Sequence, residues 1–302
     1  MPHSHRHSHS HSHSHSHTAN GKLTLAVFIN VLLTIVQIVG GILSGSLSLI
    51  ADALHNLSDA GAIVIAIFAR KISAKNADEN MTFGYQRAEI IGTLINSITL
   101  IIIGFYLIYE AVSKYFNPTE INGWLVIYIA GIALIIDIAT AVLTYMSGAK
   151  DSMNLRAAFI HNVSDALASV AVIVAGILII LYQWYVVDII VTILISIYVL
   201  YHGGLLALES IKILMQAVPE ACDVSAIKAD IELNLHITHA HDIHVWQLDE
   251  HKLFLECKLE LAANIDQVNL AEIKSMLENK YAIKHSTIEV NRQGACIEAN
   301  CY

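Results

Sequence analysis

Charge is scarce in this sequence. Asp, Glu, Lys and Arg make up 14% of its 302 residues, against 55% hydrophobic residues. That balance excludes an ordinary soluble globular protein. Basic residues are the scarcer sign, with 17 Lys and Arg against 26 Asp and Glu and a net charge of −9. An acidic balance argues against a nucleic-acid partner and suits a partner that is a cation. Cysteine is missing until Cys222; Cys257, Cys296 and Cys301 follow, all in the polar C-terminal part. With that part in the cytoplasm, as the basic residues below imply, the four are reduced thiols and not disulfides. The start of the chain shows no signal-peptide pattern, only a His-Ser alternation followed by a long apolar run.

What the sequence does have is long apolar stretches. A helix crosses a bilayer with ~20 apolar residues, and six stretches qualify: about 23–43, 49–69, 89–112, 123–146, 157–181 and 186–207. Gly45 and its flanking serines break the first two, Asn117-Pro118 separates the third from the fourth, and Gln183-Trp184 marks the turn before the sixth. Trp124, Trp184 and Tyr185 fall where an aromatic belt belongs. Arg6 and Lys22 precede the first span, Arg70, Lys71, Lys75 and Arg87 follow the second, and Lys150 and Arg156 follow the fourth. The opposite loops hold only Lys114. The positive-inside rule therefore places both termini in the cytoplasm, and an even number of spans agrees.

Acidic residues concentrate behind the spans: residues 209–302 hold 15 Asp and Glu against 8 Lys and Arg. The pattern there is that of a small mixed domain. Helical spacing covers 223–236, with Asp223 and Ser225 available as caps. Residues 241–248 and 252–261 alternate as strands, 266–280 fits a second amphipathic helix, and 284–291 a third strand. The expected order is α-β-β-α-β, an α+β unit small enough to gain from association with a second copy.

One motif occurs twice inside the apolar stretches. Leu54-His55-Asn56-Leu57-Ser58-Asp59-Ala60 in the second recurs as Ile160-His161-Asn162-Val163-Ser164-Asp165-Ala166 in the fifth. Ionisable residues in a span are expensive and mark function. Positions i and i+4 share a helix face, so two facing helices supply two imidazoles and two carboxylates around one point. His55, Asp59, His161 and Asp165 thus match a tetrahedral zinc site in ligand type and number. Asn56, Asn162, Ser58 and Ser164 fall on neighbouring faces, as donors to these ligands or as small polar residues that pack helices. Asp52, one turn before His55, and Asp137, central in the fourth span, also need partners. Asp137 is expected to be an accessory-site or proton-pathway residue, and Asp52 either that or a helix cap.

These features together resemble the cation diffusion facilitator family, in its zinc-exporting branch of bacterial zinc and cobalt-zinc-cadmium resistance transporters. Ser44 to Asp52 (SGSLSLIAD), Phe83 to Glu89 (FGYQRAE) and His241 to Trp246 (HDIHVW) add to the likeness, which spans about Leu23 to Glu289. The resemblance implies a homodimer in which each protomer exports zinc in exchange for protons, with His55, Asp59, His161 and Asp165 as transport ligands. It implies a ferredoxin-like, metallochaperone-like terminal domain able to bind regulatory zinc, with His241 and His285 at ligand positions. The usual later-strand His is Lys258 here, and a frequent final acid is Asn291. Cys296 and Cys301 match a terminal pair seen in relatives. The loop after the second span offers Asp78 and Glu79 but no His, so a loop metal site is not expected.

The alternating His3, His5, His7, His9, His11, His13, His15 and His17 form a soft ligand reservoir in a disordered tail. The expected organisation is a His-rich tail (1–22), a six-span transmembrane domain (23–208), a cytoplasmic α+β dimerisation domain (209–292) and a tail carrying the Cys pair (293–302). The expected location is a bacterial inner membrane, and no organic cofactor is expected. A preference for cobalt, nickel or cadmium stays open, because affinity order alone does not set selectivity. A non-transporting metal sensor would bind without flux. An intramembrane metalloenzyme would need an open coordination position and a base, and no His-Glu-x-x-His occurs.

Overall fold

The computed structural model of the protein describes residues 31–292 apart from 147–152, 235, 250–251, 263–264 and 266–267. The histidine tract, the first eight residues of the expected first span, and Cys296 with Cys301 lie outside the described residues.

Among the described residues six helices come first. The described part of α1 is Val31–Ser44. It is followed by α2 (Leu47–Ser73), α3 (Ala88–Phe116), α4 (Gly123–Met146), α5 (Met153–Tyr182) and α6 (Val186–Leu214). Among the described residues five helices, α2 to α6, are long and apolar enough to cross a membrane. Helical form is what a bilayer demands, since it satisfies every backbone N–H and C=O within the segment. Several helices outrun the apolar stretches by a turn. At 27 to 30 residues, α2, α3, α5 and α6 are roughly 40 Å or more long at 1.5 Å per residue, longer than a core of about 30 Å. Arg70 and Lys71 sit in the last turn of α2, where basic side chains favour the helix terminus.

The chain divides into two compact units, one holding residues up to Gly61 and Ile102–Leu200, the other Ala62–Ile101 and everything from Tyr201 on. In the first unit, α1 turns into α2 at Gly45, whose φ of 72° and close approach to the Glu120 carbonyl leave no room for a side chain. There too α4 packs against α5. A Cβ on Gly123 would stand 2.8 Å from the Gly176 carbonyl, and one on Gly176 would stand 3.3 Å from that of Gly123. Paired glycines bring the two backbones together where larger residues would hold them apart.

The second unit carries the sheet. Here α7 (Val224–Glu232) precedes β1 (Ile237–Gln247) and β2 (Leu253–Leu261), then α8 (Leu270–Tyr281) and β3 (His285–Asn291). The strand order is β1-β2-β3, with β1 antiparallel and β3 parallel to the central β2. Asp223 caps α7 by accepting from the backbone N–H of Ser225 and Ala226. The helix stops four residues short of the expected 236, and β1 begins four residues before the expected 241. The Glu232 carboxylate explains part of this, because it accepts from the Ala240 N–H at 2.9 Å and ties the helix end to the strand. Ile227, Ile231, Ala240, Val245, Leu255, Leu259, Leu277 and Ile283 form the core. Cys257 is buried in it as a free thiol, and burial pushes its pKa up to about 11.

The α2–α3 connection meets this sheet through aromatic rings. Phe83 stands edge-on to Trp246 and Phe254, which stack on each other at 4.5 Å, and the Arg87 guanidinium lies over the Trp246 ring. Two stretches singled out in the sequence, FGYQRAE and HDIHVW, are thereby brought into contact.

Candidate metal centre

The two copies of the motif face each other across α2 and α5, inside the first unit. His55 Nε2 lies 3.7 Å from the Asp59 carboxylate on its own helix and 3.4 Å from Asp165 on the other. His161 Nε2 lies 3.5 Å from its own-helix Asp165 and 3.1 Å from Asp59. Each imidazole is therefore nearer the carboxylate of the opposite helix. Four ligands at ~2.0–2.1 Å in a tetrahedron stand about 3.3–3.4 Å apart, and the four N···O separations bracket that edge. His55, Asp59 and His161 place one ligand atom each within 4.8 Å of one another, the one such group of three or more among the described residues. Asp165 stands outside that tighter group, although it is within 3.5 Å of both imidazoles.

Two of the atoms involved are buried without a hydrogen bond: His55 Nε2 and Asp165 Oδ1. The two atoms face each other at 3.4 Å without hydrogen-bond geometry, and a cation held at this point would give both a partner. Chemically, the set accepts a divalent ion only with both imidazoles and carboxylates deprotonated, so protons and metal compete for the same atoms.

The surrounding polar residues repeat in the same way as the motif. Asn56 donates to Gln37 on α1 and Asn162 to Thr144 on α4, so each copy bonds the helix that precedes it. Ser164 bonds its own-helix Ile160 carbonyl. The two asparagine side chains bond neighbouring helices and not the His–Asp cluster.

The structure places Asp52 and Asp137 in polar company as well. Asp52 Oδ2 accepts from Gln37 Nε2 at 2.6 Å, while its Oδ1 is buried without a hydrogen bond. Asp137 accepts from Ser169 on α5 at 3.0 Å. Gln37, Thr144 and Ser169 were not singled out from the sequence, nor was Tyr198 on α6, whose ring stands edge-on to His55 at 5.9 Å. Gln37 carried a usable signal, as an amide in the middle of an apolar stretch. Tyr198 carried none beyond the ordinary aromatic content of a span.

The terminal domain is differently arranged. His241 on β1 sits opposite Lys258 on β2, which sits opposite Glu289 on β3. His285 sits opposite Phe254, four residues away along β2, or about 13 Å at strand rise. Within one chain His241 and His285 are therefore not brought together. The Lys258 ammonium instead reaches the Asp242 carboxylate at 2.8 Å and holds its pKa below the ordinary value. Asp242 has a left-handed φ of 50° where the β1–β2 register shifts, a conformation Asp tolerates better than most residues. In the loop after α2, Asp78 accepts from the N–H of Asn80 and Met81 and from the Tyr85 hydroxyl, so this carboxylate serves a turn.

Comparisons with known proteins agree with this architecture. Residues 23–215 match the family model described as the cation efflux transmembrane domain, and residues 219–293 match that of the cation efflux protein cytoplasmic domain. The chain is 36% identical over 281 residues to a cadmium, cobalt and zinc/H(+)-K(+) antiporter of Bacillus subtilis, covering 91% of this chain and 90% of that one. It is 32% identical over 286 residues to the zinc transporter ZitB of Pectobacterium atrosepticum, covering 94% and 89% of the two chains. It is 33% identical over 270 residues to the metal cation efflux system protein CzcD of Cupriavidus metallidurans, covering 89% and 85%. With both family models matched in order over nearly its whole length, the chain belongs to the cation efflux family.

Proposed function

We propose that the protein exports zinc from the cytoplasm in exchange for protons, with His55, Asp59, His161 and Asp165 as the transport ligands. The observation that carries this reading is the crosswise set of four N···O separations between α2 and α5, from 3.1 to 3.7 Å. Support comes also from relatives named as a zinc transporter and as a cadmium, cobalt and zinc antiporter. Free histidine titrates near ~6.5. A site open alternately to each side therefore exchanges a metal ion for protons through competition for one set of atoms.

The membrane part in this reading has six spans, the first running from about residue 23 through α1, followed by an α-β-β-α-β cytoplasmic domain at 209–292. Both termini are cytoplasmic, the membrane is a bacterial inner membrane, and two protomers associate through the terminal domains. Asp137 and Asp52 serve proton movement beside the ligands; an Asp137→Asn protein that transports zinc like the wild type removes that role. Regulatory zinc at His241, His285, Cys296 or Cys301 requires ligands from outside one chain's sheet, because the register separates the two histidines.

Zinc is preferred because imidazole suits it and both helices supply one. A metal panel in proteoliposomes, with zinc, cadmium, cobalt, nickel, manganese and iron, tests this on wild type and His55→Asp. The expected result is zinc preference in the wild type and a shift toward manganese or iron in the variant. An unchanged profile would remove His55 as a selectivity element.

A further inference from the structure

Asp188 lies in the first turn of α6 and is fully buried. Its Oδ1 accepts from Ser46 Oγ at 2.6 Å, from Ser48 Oγ at 2.6 Å and from the Ser48 N–H at 3.2 Å. Its Oδ2 accepts from the Leu47 N–H at 2.8 Å and faces the Lys114 ammonium at 3.6 Å. Lys114, in the last turn of α3, also donates to the Gly45 carbonyl. All of these residues belong to the first unit.

A buried carboxylate persists only with such a complete set of donors and a compensating charge. What it holds is the start of α2. Leu47 and Ser48 open that helix, where the first N–H groups have no partner within the helix and a negative charge is favoured. Ser46 adds the local cap, because its Oγ accepts from the Leu49 N–H at 3.2 Å while donating to Asp188. The stretch Ser46-Leu-Ser thus serves the carboxylate of a helix 140 to 142 residues away in sequence.

His55 and Asp59 follow Leu47 by eight and twelve residues, about 12 and 18 Å along a regular helix. A continuous helix transmits the height and rotation of its first turn to those positions. We propose that Asp188 is a positioning residue for the transport site: by fixing the N-terminus of α2 it sets where His55 and Asp59 meet His161 and Asp165. This inference rests on reading those four residues as the metal ligands. Lys114 is the neutralising partner that keeps the buried carboxylate in place.

The test is calorimetric zinc binding to the full-length protein in detergent, with thermal stability and size-exclusion profile measured in parallel. His55→Ala identifies the binding event that belongs to the transport site. Asp188→Asn is expected to lower zinc affinity at that event by roughly 10-fold, in the range seen when a residue supporting a metal ligand is lost, with stoichiometry unchanged. Asp188→Asn combined with Lys114→Met removes the charge left behind and is expected to keep the same affinity loss. Ser48→Ala, which deletes one donor and leaves the Lys114–Asp188 pair, is expected to show a smaller loss in the same direction even if the Asp188 variants fail to fold.

Folded variants with lowered thermal stability but wild-type zinc affinity, for the Ser48 and the double variant alike, would overturn the proposal. Their loss of stability would then be the whole effect. A zinc isotherm left unaltered by His55→Ala would instead overturn the ligand assignment itself, so the two failures are told apart.

Discussion

His161 Nε2 lies 3.1 Å from the Asp59 carboxylate on the facing helix, closer than the 3.5 Å to Asp165 four residues along its own. His55 repeats the relationship, with 3.4 Å to Asp165 and 3.7 Å to Asp59. Two independent intrahelical pairs would show the opposite order. The four side chains lie in one crosswise arrangement drawn from α2 and α5.

A single set predicts that no half of it works alone. His161→Ala and Asp59→Ala, on different helices, are each expected to lower zinc affinity more than the ~10- to 100-fold typical of losing a residue that only supports a ligand. Calorimetry on the purified protein checks this. Retention of near wild-type affinity in His161→Ala would mean that α2 alone holds the ion.

Competition between protons and zinc for these atoms predicts proton release on binding. Zinc affinity is expected to fall as pH drops, because metal binds only the deprotonated imidazoles and carboxylates. Titrations in buffers of different ionisation enthalpy measure the protons released. Binding heats that do not depend on the buffer would contradict the competition.

The His-rich tail lies outside the described residues, and its role follows from its composition. Deleting residues 1–18 is expected to lower apparent zinc affinity modestly while transport survives, because a His-rich tract raises local metal concentration without completing the site. Transport assays on the truncated protein check this, and complete loss would show that the tail is part of the pathway.

Lys258 holds the Asp242 carboxyl below its ordinary value of 3.8. A carboxyl depressed in the folded state contributes stability that is present above its unfolded pKa and disappears as pH falls through the folded value. Lys258→Ala is therefore expected to destabilise the β1–β2 region at neutral pH, with the difference from wild type closing below about pH 4. Hydrogen exchange of the β1 and β2 amides as a function of pH measures it. A difference that persists into strong acid would point to lost packing of the lysine stem.

The residues that cluster between α2 and α5 were legible as a candidate site from the sequence alone, for an energetic reason. His55, Asp59, His161 and Asp165 stand in apolar stretches where ionisable groups are costly, and the repeat of their spacing named both helices. The crosswise pairing was not legible, since i, i+4 spacing speaks only of one helix and the partner across the gap is fixed by packing. Asp188 was missed for a related reason. It sits at the end of a span, where an acid reads as an ordinary interfacial residue, and its hydrogen-bond donors at the start of α2 are 140 to 142 residues away. In the terminal domain the alternation of β2 and β3 located the strands closely. The early start of β1 depends on a side chain, Glu232, that local periodicity does not register.

The account turns on coupled exchange at the α2–α5 site, and zinc flux under an imposed proton gradient tests it most directly. Proteoliposomes carrying wild type, Asp59→Asn and His161→Ala should show zinc movement opposite to the proton gradient in the wild type. That movement should collapse when the gradient is dissipated and be absent from both variants. Gradient-driven flux that survives in either variant, or wild-type protein that binds zinc without moving it, would contradict the account.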